Sequence, residues 1–204
     1  MKQTKYGLNE NNKKQSAFTA IFTRQSQPFK DMNDLSEEAR NEVVPAILLL
    51  NRYDGRLGFI GGFMDEKEDG TMETIVEGTL RELKEETTIV LEEGQLKEQC
   101  SHEFGIVAHL NSHEVNSLDE LITMQKQLMD SEHYGSEITG STLCYVGQFN
   151  ERKNTGLGMF LQNNLASSVR EELVQLIINE NLMSIDKLDS IVKQAGFDLE
   201  KLLA

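Results

Sequence analysis

Three kinds of hydrophobic run occur along this chain, and each predicts a different element. SAFTAIFT (16–23) has the β-branched and aromatic content of a strand. PAILLLNRY (45–53) is a continuous apolar run ending in polar residues, the pattern of a strand buried on both faces. DGR (54–56) is a tight-turn signal into the short strand LGFI, so a hairpin is expected to feed the glycine-rich stretch after it. IGGFMDEKEDGT (60–71) has no helical period, and its tail offers Asp69 or Thr71 as the N-cap of a helix over about 72–87. HEFGIVAHL (102–110) and TLCYVGQF (142–149) predict further strands, with a helix at about 117–130 between them. Residues 161–182 and 184–203 predict two C-terminal helices. No repeat or linker interrupts this series, so the expected organisation is a polar lead (1–15) and one domain (16–204) with a single principal core.

Charge narrows the range of partners. The 204 residues carry 34 Asp and Glu against 20 Lys and Arg, a formal charge of −14, which argues against a broad basic face gripping phosphate backbones. A localised nucleotide pocket stays open. Cys100 and Cys144 lack C-x-x-C spacing, so neither a zinc site nor a disulfide framework is expected, and a reducing cytoplasm fits. The N-terminus is polar where a signal peptide needs an apolar segment, and no run is long enough to cross a membrane.

The chemistry concentrates in RELKEE (81–86). On a helix Glu82, Glu85 and Glu86 lie at i, i+3 and i+4, so Glu85 and Glu86 fall within about 60° on either side of Glu82, while Met72, Val76, Leu80, Leu83 and Thr87 gather on a separate core-facing arc. Arg81 stands at i+4 from Glu77 and i−4 from Glu85 and is placed to neutralise that flank. Three like charges on one face repel one another unless a cation sits among them; an ordinary solvated face is the other reading. The preceding Gly61 and Gly62, placed just after a strand, allow a backbone carbonyl and amides to approach a metal or phosphate closely. Hard divalent cations such as Mg2+ take such oxygen ligands.

GGFMDEKEDGTMETIVEGTLRELKEETTI (61–89) resembles the Nudix box, G-x5-E-x7-R-E-U-x-E-E-x-G-U with U aliphatic. Glu73 falls on the box Glu. The box Gly corresponds to Gly62 if the EKEDG loop carries an insertion, and the late box Gly is Thr88. RYDGRLGFIGGFMD, SHEFGIVAHL, GSEITG and FLQNNLASSVREEL extend the likeness over about 16–178, to the branch of Nudix hydrolases that contains a small-nucleolar-RNA-decapping enzyme also active as an inosine diphosphatase. The resemblance implies an α/β/α sandwich with a mixed sheet, a homodimer, and hydrolysis of a nucleoside diphosphate linked to a group X with Mg2+ or Mn2+.

Carried onto this chain, the resemblance makes Glu82, Glu85, Glu86 and the Gly61 carbonyl metal ligands, with Arg81 orienting the acids and one carboxylate taking a proton from water. Glu137 in GSEITG is the candidate for an additional acid, or else an ordinary loop carboxylate. Arg52, Phe59, Gly62 and His102 match substrate-binding positions; Arg52 could equally form a surface salt bridge and Phe59 pack in the core. Thr19 stands where the relatives carry a base-contacting His, and Glu172 where they carry a Gln, so adenine or guanine bases are as credible as inosine. The expected substrates are purine nucleoside di- or triphosphates, ADP-ribose, dinucleotides or nucleotide-capped RNA 5′ ends. A catalytically silent nucleotide-binding module is the alternative. The C-terminal segment 182–204, with Leu and Ile at threes and fours, reads as an amphipathic cap or dimer element.

Overall fold

The computed structural model describes residues 13–103, 105–147 and 156–204, so most of the polar lead, Phe104 and the end of the strand predicted to 149 lie outside the described residues. The sheet is organised around the long apolar run, which forms β2 (Val44–Arg52). Its side chains alternate between two layers. Ile47 and Leu49 pack toward one hydrophobic cluster, while Ala46, Leu48 and Leu50 pack toward the other. A strand clothed on both faces needs no polar alternation, which is why this segment reads as continuously apolar.

β1 (Gln15–Ser26) lies against β2 in antiparallel register and, on its other side, runs parallel to β6 (Val107–Glu114). β5 (Lys97–Glu103) forms one edge and β7 (Ile138–Tyr145) pairs with β2 at the other. The short strands β3 (Leu57–Gly58) and β4 (Ile60–Phe63) add to β2 and β1 respectively, completing a seven-stranded mixed sheet. On one face lie α2 (Ile75–Thr87) and α3 (Leu118–Gln127), whose Leu83 and Leu121 are fully buried. On the other lie α4 (Leu157–Leu161), α5 (Val169–Asn179), α6 (Ile185–Gln194) and α7 (Leu199–Leu202). A short helix, α1 (Glu37–Asn41), sits in the loop after β1. The result is the expected α/β/α sandwich.

Several boundaries differ from the sequence reading. HEFGIVAHL spans the end of β5, a turn and the start of β6 rather than one strand. The turn runs through Gly105, whose φ of +76° an L side chain rarely adopts. The predicted 161–182 helix breaks because residues 164–166 pair with β3: Leu57 N–H donates to the Asn164 carbonyl and Ala166 N–H to Leu57, so α5 begins only at Val169. The 184–203 helix divides at Gly196 (φ +89°). Gly61 and Gly62 lie inside β4, opposite Phe18 and Ala17, and not after a strand.

The N-cap of α2 is Thr74, not Asp69 or Thr71. Thr74 and Glu77 form a reciprocal capping box, while Asp69 closes its own turn by accepting from Thr71 N–H and Oγ1. The EKEDG insertion folds as a small hairpin closed by the Glu66–Met72 bridge, with Gly70 at φ +82°.

Candidate active site

The carboxylate helix does not separate an acidic face from a core face. Glu82 and Glu86 are 8 % and 6 % exposed and share the buried side of α2 with Thr79 and Leu83. This is possible because β4 places Gly61 and Gly62, which have no side chains, against these acids. A Cβ on Gly62 would come within 2.7 Å of Glu82 Oε1, and one on Gly61 within 2.2 Å of the Ala17 carbonyl. Gly61, at φ +140°, points its N–H at Glu86 Oε2 at 2.6 Å.

Arg81 binds the array together. Its Nη1 donates to Glu82 Oε1 at 2.9 Å and Glu85 Oε2 at 2.8 Å, its Nε to Glu73 Oε1 at 2.8 Å, and its Nη2 to Glu73 Oε2 and the Phe63 carbonyl. Glu73 also accepts from Asp65 N–H, so the box Glu fixes the arginine from behind. The expected Glu77–Arg81 contact is absent from this set, because Glu77 is engaged by Thr74 and by Lys67 Nζ at 2.6 Å.

Electrostatics follow from burial. Desolvation lifts the Glu82 carboxyl, with Glu85 and Glu137 adding to the rise and Arg81 opposing it. Burial lifts Glu86 to about 8; Glu82 and Glu137 push the same way, against the Gly61 N–H and Arg52. Among the described residues no three Asp, Glu, His or Cys side chains already converge as a metal cage. Each box acid instead has a protein partner, Arg81 for Glu82 and Glu85 and Gly61 N–H for Glu86. The donors nonetheless suit a hard cation: all are oxygen, two are buried at a cost that positive charge relieves, and all three acids open onto one cavity.

These acids line one wall of a cavity of about 810 Å3. Glu137 stands across from them on the loop before β7, with His133 Nδ1 at 3.4 Å from its Oε2. Arg52, Phe59, Gly61, Gly62 and Glu172 also line it. Phe59 is 2 % exposed and belongs to the core cluster under the sheet. Glu172, 1 % exposed at the start of α5, accepts from Ser168 Oγ at 2.9 Å, and burial lifts its carboxyl to about 7.

Two expected residues fall elsewhere. Thr19 is fully buried within β1 between Ile60 and Asn111, with the same strand parity as Ile21, which packs toward α2 and α3. The cavity is reached by its neighbour Phe18, one residue and therefore one sheet face away. His102 lies on the edge strand β5 opposite Ala108 and is not among the lining residues.

Tyr53, Arg56, His133 and Ser168 line the cavity without having been singled out from the sequence. For His133 a signal existed, since its four-residue spacing from Glu137 permits contact within a turn. For Ser168 none did, because its position depends on the break before α5.

Residues 20–183 match the Nudt16-like family, described as U8 snoRNA-decapping enzyme-like. The chain is 28 % identical over 154 residues to the U8 snoRNA-decapping enzyme of Xenopus laevis, covering 72 % of this chain and 70 % of that one. It is 31 % identical over 145 residues to the Bos taurus enzyme of the same name, covering 68 % and 71 %. A MutT/nudix family protein from Enterococcus faecalis shares the fold, with a TM-score of 0.52 at 11 % identity over 97 % of this chain and 79 % of that one. With the glycine cradle, the arginine-bound acids and the family match in agreement, the chain belongs to the Nudt16-like family of Nudix hydrolases, enzymes acting on phosphoric anhydride bonds.

Proposed function

We propose that this protein is a Mg2+- or Mn2+-dependent pyrophosphohydrolase that cleaves the diphosphate of a nucleoside diphosphate linked to a group X, the capped 5′ end of an RNA being one such substrate. The observation that carries the reading is the pair of buried carboxylates, Glu82 and Glu86, held against a glycine strand and facing a nucleotide-sized cavity. Glu82, Glu85, Glu86 and the Gly61 carbonyl would hold the metal, which supplies charge neutralisation on the diphosphate and activation of a water. Arg81 keeps the acids in register, and Glu137 faces them as a further acid. Arg52 and Glu172 line the cavity, whereas Thr19, buried in β1, and His102, on the edge strand β5, are not among its lining residues. The relatives' name favours a capped RNA, while the charge of −14 favours small nucleotides, so both belong in the test.

Two unpaired cysteines fit a reducing compartment, and no helix among the described residues is long and apolar enough to cross a membrane. A homodimer, implied by the family, is read by light scattering. The decisive experiment is hydrolysis of inosine diphosphate, ADP-ribose, NAD and a capped RNA with Mg2+ or Mn2+, run beside Glu86→Gln. Wild type should release phosphate or a nucleoside monophosphate from at least one of them, and the variant should be slower by about 10²–10⁴-fold. Equal inactivity of both proteins would leave a nucleotide-binding module as the better description.

A further inference from the structure

Beside the acids the cavity is lined by a second charged assembly that the box does not include. The hairpin joining β2 to β3 is closed by Gly55 N–H donating to the Arg52 carbonyl and Arg52 N–H to the Arg56 carbonyl, with Gly55 at φ +78°. Asp54 sits at its tip. Its Oδ1 accepts from Arg56 N–H at 3.1 Å, fixing the carboxylate in the turn. Its Oδ2 then accepts from Arg52 Nε and Nη2 (3.3 and 3.2 Å) and from Arg56 Nε and Nη2 (3.2 and 2.8 Å). One carboxylate oxygen therefore holds two guanidinium groups side by side. Gly58 completes the seat: a Cβ there would lie 3.0 Å from Arg52 Cδ, so the arginine stem crosses β3 where no side chain stands.

Two like-charged guanidiniums repel, and each flexible stem loses entropy on being ordered. Asp54 offsets the repulsion and orders both before a ligand arrives, leaving one net positive charge beside an acidic wall. Because it takes the Nε–Nη2 edge of each arginine, Nη1 of each makes no hydrogen bond among the described residues. Arg81, the other guanidinium lining the cavity, is fully engaged by Glu73, Glu82, Glu85 and Phe63. Arg52 lies near enough to Glu86 to favour its ionised form, and Arg56 is the more exposed of the pair, its side chain 44 % exposed against 31 %. The two cations thus lead from the acids toward solvent.

We propose that Asp54 is a positioning residue that presents Arg52 and Arg56 as a two-guanidinium clamp for a phosphate lying beyond the scissile diphosphate. The proposal rests on the hydrolase reading above and adds a specificity element to the same site. The fork geometry of arginine suits paired phosphate oxygens better than a lysine point charge does. The phosphate comes either from a longer polyphosphate on a free nucleotide or from the chain of a capped RNA.

The test compares KM and kcat for a nucleoside diphosphate, the corresponding triphosphate and a short capped RNA, using wild type, Asp54→Asn, Arg56→Ala and Arg56→Lys. Asp54→Asn and Arg56→Ala should raise KM about tenfold for the triphosphate, the RNA or both, with kcat changing less than about twofold. The diphosphate should be nearly unaffected. Arg56→Lys should recover only part of the loss, and the Asp54→Asn/Arg56→Ala double variant should be little worse than Arg56→Ala alone. A rise confined to the triphosphate assigns the clamp to polyphosphate, and one confined to RNA assigns it to the chain. Unchanged KM for all three substrates overturns the proposal. So does a parallel loss of kcat/KM for all three with a lowered melting temperature, which would make Asp54 a turn residue only. Binding of labelled capped RNA and of the triphosphate to Glu86→Gln, with and without Asp54→Asn, separates this proposal from the hydrolase reading. If wild type turns over nothing, weaker binding on adding Asp54→Asn still supports the clamp, and unchanged binding overturns it.

Discussion

Gly61 has little freedom to change. Its φ of +140° is strained for any L side chain, and a Cβ would meet the Ala17 carbonyl and Phe18 Cα of the neighbouring strand. Gly61→Ala should therefore lower stability by about 2–4 kcal/mol, read by denaturant unfolding, and should displace the N–H that meets Glu86. Glu172 makes a different prediction. Its ordinary value near 4.5 rises to about 7 in the fold, so the native state holds a proton that the unfolded chain releases. That contribution is fully present below about pH 4.5 and is lost as pH rises through about 7. Glu172→Gln should gain on wild type by roughly 3 kcal/mol between pH 4.5 and 8 in chemical-denaturation curves. A constant difference across that range would show that Glu172 ionises freely in the fold. At this scale the grouping of the acids with Arg81 could be read from the chain, because helical spacing brings them together, but the burial of Glu82 and Glu86 against a glycine strand could not. Thr19 and His102 could not, since strand parity and sheet position decide which side chain meets the cavity.

Helix α2 carries the site and is fastened at both ends. The Thr74–Glu77 capping box satisfies its first amides, so Thr74→Ala should lower the melting transition by about 1 kcal/mol in thermal unfolding. At the other end Thr88 sits at φ 61° and ψ 1°, a left-handed conformation costly for a β-branched residue. Thr88→Gly should stabilise by about 1 kcal/mol, and a neutral or negative effect would show that the loop relieves the strain. The existence of α2 was legible from its period, but its start was not. Asp69 and Thr71 have cap-forming side chains, yet the inserted hairpin uses them in its own turn and moves the first helical residue to Ile75. The break before α5 was equally hidden, because 164–166 gain hydrogen bonds from β3 that no local pattern announces.

For the molecule as a whole, buried acid and net charge act together. A chain at −14 with two nearly enclosed carboxylates lining the candidate-site cavity gains stability from any cation that binds the folded state alone. Mg2+ at about a hundredfold excess over its Kd should add roughly 3 kcal/mol, a rise of several degrees in melting temperature over sodium salt of equal ionic strength. Chelator should reverse it and Glu86→Gln should blunt it; the same rise in the variant would locate the ion elsewhere. The burial of β2 on both faces was legible in its unbroken apolar run, whereas the sandwich as a whole was expected only from the family resemblance. The parallel pairing of β1 with β6 was not legible, since it joins residues 15–22 to 107–114. That pairing bears on how the chain comes off the ribosome. β1 is made early, but one of its neighbours is encoded more than halfway along, so the centre of the sheet must wait with an unpaired edge through much of synthesis. Ribosome-bound chains ending before β6 should be open to protease and to chaperone capture, and those that extend past it protected.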